Sequence, residues 1–184
     1  MENSQDQVSS PVQHALRSGA IMGAISIILT LLLYVVDYSL LADWKVGIFM
    51  ILIFLGYVIY AGISYRKEVG GYLGYGKAFQ HGFITLALGG IIGVIFGIIL
   101  YNVIDTELPQ KITDAAIENA EAMMERFNTP QDKIDEQLDK MKVDMPNNYT
   151  VVGHLKGYLW ALLVYAIISS ITSLIVRRSP PESI

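Results

Sequence analysis

Histidines and carboxylates are the side chains of this sequence whose chemistry could support catalysis or metal binding. His81 precedes the third of four long apolar segments and His154 precedes the fourth. If each segment crosses a membrane, the two histidines lie on opposite faces, roughly 30 Å apart. Together with His14 they therefore cannot form one metal site. The sequence has no cysteine, which excludes disulfides, thiolate ligands and cysteine nucleophiles.

The many acidic residues have the spacing of a solvent-facing helix surface and no histidine beside them. We therefore predict no catalytic residue, no metal site and no cofactor, and we expect a protein that is not an enzyme. We also expect no polar cavity lined by convergent acids or histidines, which a membrane enzyme would need. Basic patches interleaved with aromatic residues are missing, so no nucleic-acid partner is expected.

One short stretch imitates a nucleotide-binding motif. Gly71 to Lys77 has the GxxxxGK spacing of a phosphate-binding loop, but Ala78 follows where a magnesium-binding Ser or Thr belongs. An apolar segment precedes this stretch, whereas a phosphate-binding loop follows a strand. We interpret the glycines from Gly70 to Gly76 as a turn that leads into the next helix.

The elements that must position these residues are four apolar segments of about 20 residues, the length that a helix needs to cross a bilayer. They cover residues 18–36, 46–65, 83–103 and 157–176. A chain of 184 residues that is 53% hydrophobic could not cover four such helices as a soluble protein. The first segment is longer than the roughly 7 to 15 apolar residues of a signal peptide. The sequence predicts an all-α polytopic membrane protein, a four-transmembrane-helix bundle solvated by the lipid bilayer.

Charge predicts the orientation of this bundle, because basic residues in short loops resist translocation. The basic residues that flank the spans on one side are Arg17, Arg66, Lys67, Lys77, Arg177 and Arg178. The predicted outer segments carry thirteen of the 17 acidic residues. We expect a cytoplasmic N-terminus at 1–17, a membrane domain at 18–178 with an outer insert at 104–156, and a cytoplasmic tail at 179–184.

The insert between the third and fourth spans predicts an extracytoplasmic amphipathic helical hairpin. Apolar residues recur at helical spacing after Thr113, a candidate N-cap, and again after Thr129 and Pro130. This pattern leaves open whether the apolar stripe lies on the membrane surface, on the outer ends of the spans or on a partner. The candidate partner-facing stripe comprises Met123, Met124, Phe127, Leu138 and Met141.

Glycines at four-residue spacing are the clearest pattern inside the predicted spans. Gly89, Gly93 and Gly97 form two overlapping GxxxG steps in the third span, and Gly19 and Gly23 form another in the first. Such spacing lets two helix backbones approach closely. Packing among the protein's own spans, a homo-oligomer and docking to another membrane protein are all compatible with it.

The segment from Tyr65-Arg66-Lys67 through Gly70-Gly71-Tyr72-Leu73-Gly74-Tyr75-Gly76-Lys77-Ala78-Phe79 carries a family resemblance. The chain resembles a family of four-span bacterial membrane proteins called domain of unknown function 4199. The resemblance covers most of the chain and includes the helical insert. It implies a bacterial inner-membrane location and transfers no activity and no functional residue.

These patterns favour a non-enzymatic scaffold, accessory or sensing component that binds partners through its glycine-rich span and outer hairpin. The alternative is a small oligomeric channel or transporter subunit. Ionisable residues are absent from the interior of all four segments, which disfavours proton-coupled transport through buried carboxylates.

Overall fold

The computed structural model describes residues 10–180, which form six α-helices. They are α1 (Pro11–Val36), α2 (Trp44–Glu68), α3 (Tyr75–Ile99), α4 (Leu108–Arg126), α5 (Gln131–Asn148) and α6 (Val151–Val176). A short 3₁₀ helix, Tyr38–Ala42, joins α1 to α2, and a π-helical turn, Leu100–Ile104, extends α3. Most of the predicted terminal segments, 1–17 and 179–184, lies outside the described residues. The all-α class is confirmed.

Four of these helices are long and apolar enough to cross a membrane. They are α1, α2, α3 with its π-helical extension, and α6. This finding confirms the four long apolar helices that the hydropathy of the sequence predicts. The side of a membrane on which α4 and α5 lie stays a prediction.

All four spanning helices begin earlier than their apolar segments, and α1 and α6 show how a side-chain cap sets the start. α1 begins at Pro11, where the side chain of Ser10 accepts a hydrogen bond from the backbone N–H of Gln13. α6 begins at Val151, where Thr150 accepts one from the N–H of Gly153. Caps of this kind set where a helix starts, whereas hydropathy reports only the apolar part. The extensions place His14 and His154 inside helices.

α3 is the central helix of the bundle. It lies between α1 and α6 and packs along both, while α2 makes fewer contacts with these three helices. Midway along the bundle, Met22, Val58 and Leu86 form a buried apolar cluster that joins α1, α2 and α3. The looser fit of α2 leaves space on one side of α3.

The turn between α2 and α3 is tied to the end of α6, and we call this the turn end of the bundle. Gly70 and Gly71 both have a φ of 88°, a left-handed conformation that favours glycine. Leu73 and Arg178 then exchange two backbone hydrogen bonds, of 3.0 and 2.9 Å. Arg66 donates a further hydrogen bond of 2.8 Å to the carbonyl oxygen of Val176. The predicted turn is present, and these bonds hold it against α6.

At the opposite end, which we call the hairpin end, α4 and α5 pack against each other. The prediction of Thr113 as the N-cap of α4 is wrong, because the helix begins at Leu108. Asp105 Oδ1 accepts hydrogen bonds from the backbone N–H groups of Glu107 and Leu108, so it satisfies the helix start. Thr113 instead donates to the carbonyl oxygen of Pro109 within the helix.

The start of α5 also differs slightly from its prediction. Pro130 occupies the N-cap position and Gln131 is the first helical residue, so Thr129 is not the cap. Asn128, with a φ of 52°, ends α4 close to where the sequence predicts the break.

The joint between α5 and α6 leaves no room for a side chain at Gly153. A Cβ atom there would overlap the backbone carbonyl oxygens of Asn147 and Asn148. Asn102 from the π-helical turn also donates to the carbonyl oxygen of Tyr149 at 3.1 Å. Direct backbone contact therefore fixes how the hairpin meets α6.

Candidate functional site

The glycines of α1 lie directly against α3. A Cβ atom added to Gly19 would lie 2.8 Å from the Cβ of Leu88, and one added to Gly23 would lie 2.7 Å from the Cβ of Ile92. Both distances are shorter than carbon atoms tolerate, so these positions require glycine at this helix separation. Gly19 and Gly23, which the sequence pattern singles out, thus make their close helix contacts within this chain.

The three glycines of α3 have different surroundings. A Cβ at Gly89 would meet Met22 at 2.6 Å, and one at Gly97 would meet His154 Nε2 at 3.0 Å. At Gly93 the only neighbour within 4 Å among residues 10–180 is the hydroxyl oxygen of Ser26, at 3.2 Å. The GxxxG face of α3 is therefore closely packed at its two ends and less so at Gly93.

Beside Gly93 lies a cavity of about 430 Å³ with walls from all four spanning helices. α2 contributes Met50 and Phe54, and α6 contributes Ile168. Its volume falls in the range of about 300–1,000 Å³ that is typical of small-molecule sites. The walls are mostly apolar.

A second, more polar pocket of about 850 Å³ lies where α5 meets α6. Its lining includes Asn147, Asn148 and Lys156. It shares three lining residues with the apolar cavity, namely Val94, His154 and Tyr165. The apolar cavity and the polar pocket are therefore neighbours at the hairpin end.

Two histidines and a glutamate meet at the turn end, and the sequence analysis did not predict this cluster. His14 Nδ1 lies 2.8 Å from His81 Nε2, and His14 Nε2 lies 3.3 Å from Glu68 Oε1. The ring of Tyr65 stacks on His81 with centroids 5.2 Å apart. Three spanning helices thus contribute to one chain of titratable groups in close contact, the histidine chain.

His81 is the most buried member of the histidine chain, with no exposed surface. Its Nδ1 atom has no hydrogen-bond partner among the described residues. An unpaired acceptor is tolerated more readily than an unpaired N–H. This favours the tautomer in which His81 Nε2–H donates to His14 Nδ1. The proton of His14 then lies on Nε2, the ring atom that is 3.3 Å from Glu68.

The apolar pattern does not reveal this chain, because the first apolar segment begins at Ser18 and leaves His14 outside the span. The signal that could have found it is the Ser10-Pro11 pair, which is typical of a helix start. Extending α1 back to Pro11 would have placed His14 on the helical face of Ser18, four residues later. Within residues 10–180, no group of three or more His, Asp or Glu side chains is arranged to hold a metal ion.

The predicted stripe on the hairpin is divided between its interior and its surface. Leu138 is only 7% exposed, and Met124 and Met141 are half-buried. Phe127 is 78% exposed and Met123 is 43% exposed at the end of α4. We call Met123 and Phe127 the hairpin tip.

The base of the hairpin is anchored to the spanning helices. Leu108 and Ile112 of α4 pack with Leu100 in a buried cluster that includes Tyr34 and Leu41. Lys111 lies 3.3 Å from Glu107 and 3.8 Å from Asp105, and the hydrogen bond to Glu107 raises the pKa of its ammonium group. The apolar cluster and these charges hold the first turns of α4 in place.

Further along the hairpin, an exposed ion-pair cluster surrounds Glu136. Lys140 lies 2.7 Å away and Lys133 lies 3.2 Å away. Their hydrogen bonds, led by that of Lys140, hold the pKa of the Glu136 carboxyl below its ordinary value. Each exposed pair stabilises a helix only slightly.

Four long apolar helices, with α3 at their centre and a helical insert before the last of them, are typical of a multi-span membrane protein. The chain matches the family described as protein of unknown function DUF4199 over residues 17–178, and it belongs to that family. The resemblance seen in the sequence is confirmed. No curated protein and no solved structure matches the chain.

Proposed function

We propose that this protein is a non-enzymatic membrane component, a scaffold, accessory or sensing subunit, that binds a partner protein through the hairpin tip. The observation that carries the proposal is the exposure of Phe127, at 78%, at the end of a hairpin whose base is anchored in the bundle. Large exposed aromatic and methionine side chains are enriched at protein interfaces. An anchored base would present them in a fixed orientation.

The contacts of the hairpin support a partner from outside the chain. α4 packs on α5 and on the 3₁₀ helix Tyr38–Ala42, and these contacts leave the tip exposed. Glu121 and Glu125 lie on the same stretch of α4. Acidic residues disfavour the surface of anionic lipids. The partner surface we expect is an apolar pocket with basic residues at its rim.

The glycine-rich span has a supporting part in this proposal. Its contacts with α1 at Gly19, Gly23 and Gly89 are made within the chain, and these contacts support a bundle rigid enough to orient the hairpin. We assign partner binding to the tip for this reason.

We further propose that both termini face the cytoplasm of a bacterial inner membrane and that the hairpin lies outside. Support comes from basic residues that gather at the turn end, including Lys67, Lys77 and Arg177, and from the acidic hairpin at the other end.

In-cell photocrosslinking tests the assignment of the tip. A photoreactive phenylalanine analogue at position 127 should yield a discrete adduct with one partner, and Met123→Glu should abolish that adduct. The matched control places the same analogue at Val143, which is 70% exposed on α5. An empty result at position 127, or identical adducts from both positions, would refute the proposal.

The histidine chain favours a second candidate, a channel or transporter subunit that moves protons. A chain of imidazoles leads from the bundle interior to Glu68. Proton flux into sealed vesicles that contain the purified protein, lost in His81→Gln, would support this candidate. Flux equal to that of protein-free vesicles would eliminate it and would leave the tip proposal intact.

A further inference from the structure

The apolar cavity extends from the middle of the bundle to the hairpin end. At mid-bundle it is bounded by Met22 and Leu86, two members of the buried cluster that joins α1, α2 and α3. Towards the hairpin end its wall reaches Tyr101 and His154. The mid-bundle wall is mostly apolar, with the phenol of Tyr165 packed against this cluster, and the hairpin end carries a second phenol and an imidazole.

The space exists because α3 presents glycines where a bundle helix would ordinarily present side chains. Gly93 lines the cavity, and in the described part of the chain only the Ser26 hydroxyl lies within 4 Å of the position of its missing Cβ. Empty space between packed helices is unfavourable, because the lining atoms lose their dispersion partners. An apolar cavity does not attract water. An aliphatic chain is the filling that a bilayer supplies.

The neighbouring polar pocket has the groups that a headgroup would need. Lys156 supplies a positive charge, and Asn147 and Asn148 supply amide N–H donors. This pocket and the apolar cavity share the side chains of Val94, His154 and Tyr165 in their walls. Apolar and cationic surfaces thus adjoin at one level of the bundle.

We propose that the cavity and the pocket together bind an anionic amphiphile with a single long acyl chain. The chain fills the space beside Gly93, and the carboxylate or phosphate head lies at Lys156. A free fatty acid and a lysophospholipid both have this chemistry. The site is independent of any protein bound at the hairpin tip.

Photolabelling of the full chain in phosphatidylcholine vesicles tests the site. The probe is palmitic acid that carries a diazirine in its chain, and adducts are mapped by mass spectrometry. We expect saturable labelling of cavity residues such as Met50 and Phe54, and unsaturable labelling of the exposed Leu163 and Ile167. Labelling of Met50 and Phe54 that never saturates would overturn the proposal.

Competition distinguishes the two sources of the ligand. If the native ligand is a fatty acid, unlabelled palmitate should displace the probe at least tenfold better than lysophosphatidylglycerol, and the reverse order indicates a lysophospholipid. Uncharged monopalmitoylglycerol should compete weakly. Lys156→Gln should remove the advantage of the anionic competitors. Equal competition by charged and uncharged amphiphiles would refute the assigned headgroup site.

Two variants fill the cavity from different helices. Gly93→Leu and Met50→Trp should each reduce saturable labelling at least tenfold. Gly56→Leu is the matched control, because no atom lies within 4 Å of the Cβ position at Gly56, and it should label like the parent. Folded cavity variants that label normally would overturn the proposal. If both variants unfold, the saturation and competition of the parent protein decide the question.

Discussion

The two ends of the bundle differ in how the space between their helices is filled. At the turn end, the space between helices is filled by buried polar side chains, including His81, Thr85 and Ser169. At the hairpin end, the glycines of α3 leave a cavity. At the filled end, His81 and Thr85 of α3 form hydrogen bonds with α1, and the open end can accept a molecule from the bilayer. The same helix, α3, therefore contributes the buried polar side chains at the turn end and the glycines that line the cavity at the hairpin end.

The difference in burial between two histidines gives the largest effect that we expect from this contrast. His81→Ala should lower the free energy of unfolding by about 3 kcal/mol, because it leaves a cavity, removes the hydrogen bond with His14 and exposes one face of Tyr65. His154→Ala, at the rim of the open end, should cost about 1 kcal/mol. Equilibrium unfolding of both purified variants in the same detergent gives the two values.

Similar losses for the two histidine variants would contradict the contrast between a filled and an open end. An unchanged stability of His81→Ala would do so more strongly. The variant His81→Phe keeps the ring volume, so it separates the contribution of packing from that of the hydrogen bond.

A pair of alanine substitutions sharpens the same contrast at smaller scale. Gly19→Ala places a Cβ atom 2.8 Å from Leu88 and 3.0 Å from the carbonyl oxygen of Thr85. It should cost about 1–3 kcal/mol of stability, as overpacking does. Gly93→Ala meets only the Ser26 hydroxyl, so its stability should stay within about 1 kcal/mol of the parent protein.

Thermal unfolding of the two alanine variants, with Gly56→Ala as the lipid-facing control, checks this prediction. The control should match or slightly exceed the parent, since alanine favours a helix over glycine. A Gly93→Ala protein that is less stable than Gly19→Ala would show that the space beside Gly93 is not open.

The smallest effect concerns acid and the hairpin. The pKa of Glu136 is lowered in the folded state, so the ionised carboxylate stabilises the hairpin. This stabilisation is fully present above the ordinary pKa of 4.5 and is lost as the pH falls through the lowered folded value. Thermal unfolding of the full chain should therefore show a slight loss of stability below pH 4.5 that is smaller in Glu136→Gln. A loss of equal size in both proteins would assign it to other groups.

Local patterns of the sequence predict most of the fold. The length of the four apolar segments specifies the spanning helices, and the helical recurrence of apolar residues after residue 112 specifies the hairpin. Both patterns involve residues that are close together in the sequence. The N-cap of α4 was missed because Asp105, two residues before the N-cap, satisfies the backbone from outside the amphipathic pattern.

The candidate sites depend on contacts between helices, which one sequence does not specify. His14 and His81 are 67 positions apart, and they meet only because α1 extends to Pro11 and packs on α3. The spacing of Gly89 and Gly93 is equally regular, yet Met22 fills the space at Gly89 and nothing fills the space beside Gly93. The regular glycine spacing therefore does not reveal that Gly89 and Gly93 have different surroundings.

The Gly153 joint has a mechanical consequence. α4 and α5, with 19 and 18 residues, form a lever about 28 Å long, since each helical residue adds about 1.5 Å. Its pivot is a place where carbonyl oxygens leave no space for a side chain. If a partner binds at Phe127 as proposed, this joint would pass the resulting force to α6, because only Tyr149 and Thr150 separate α5 from α6.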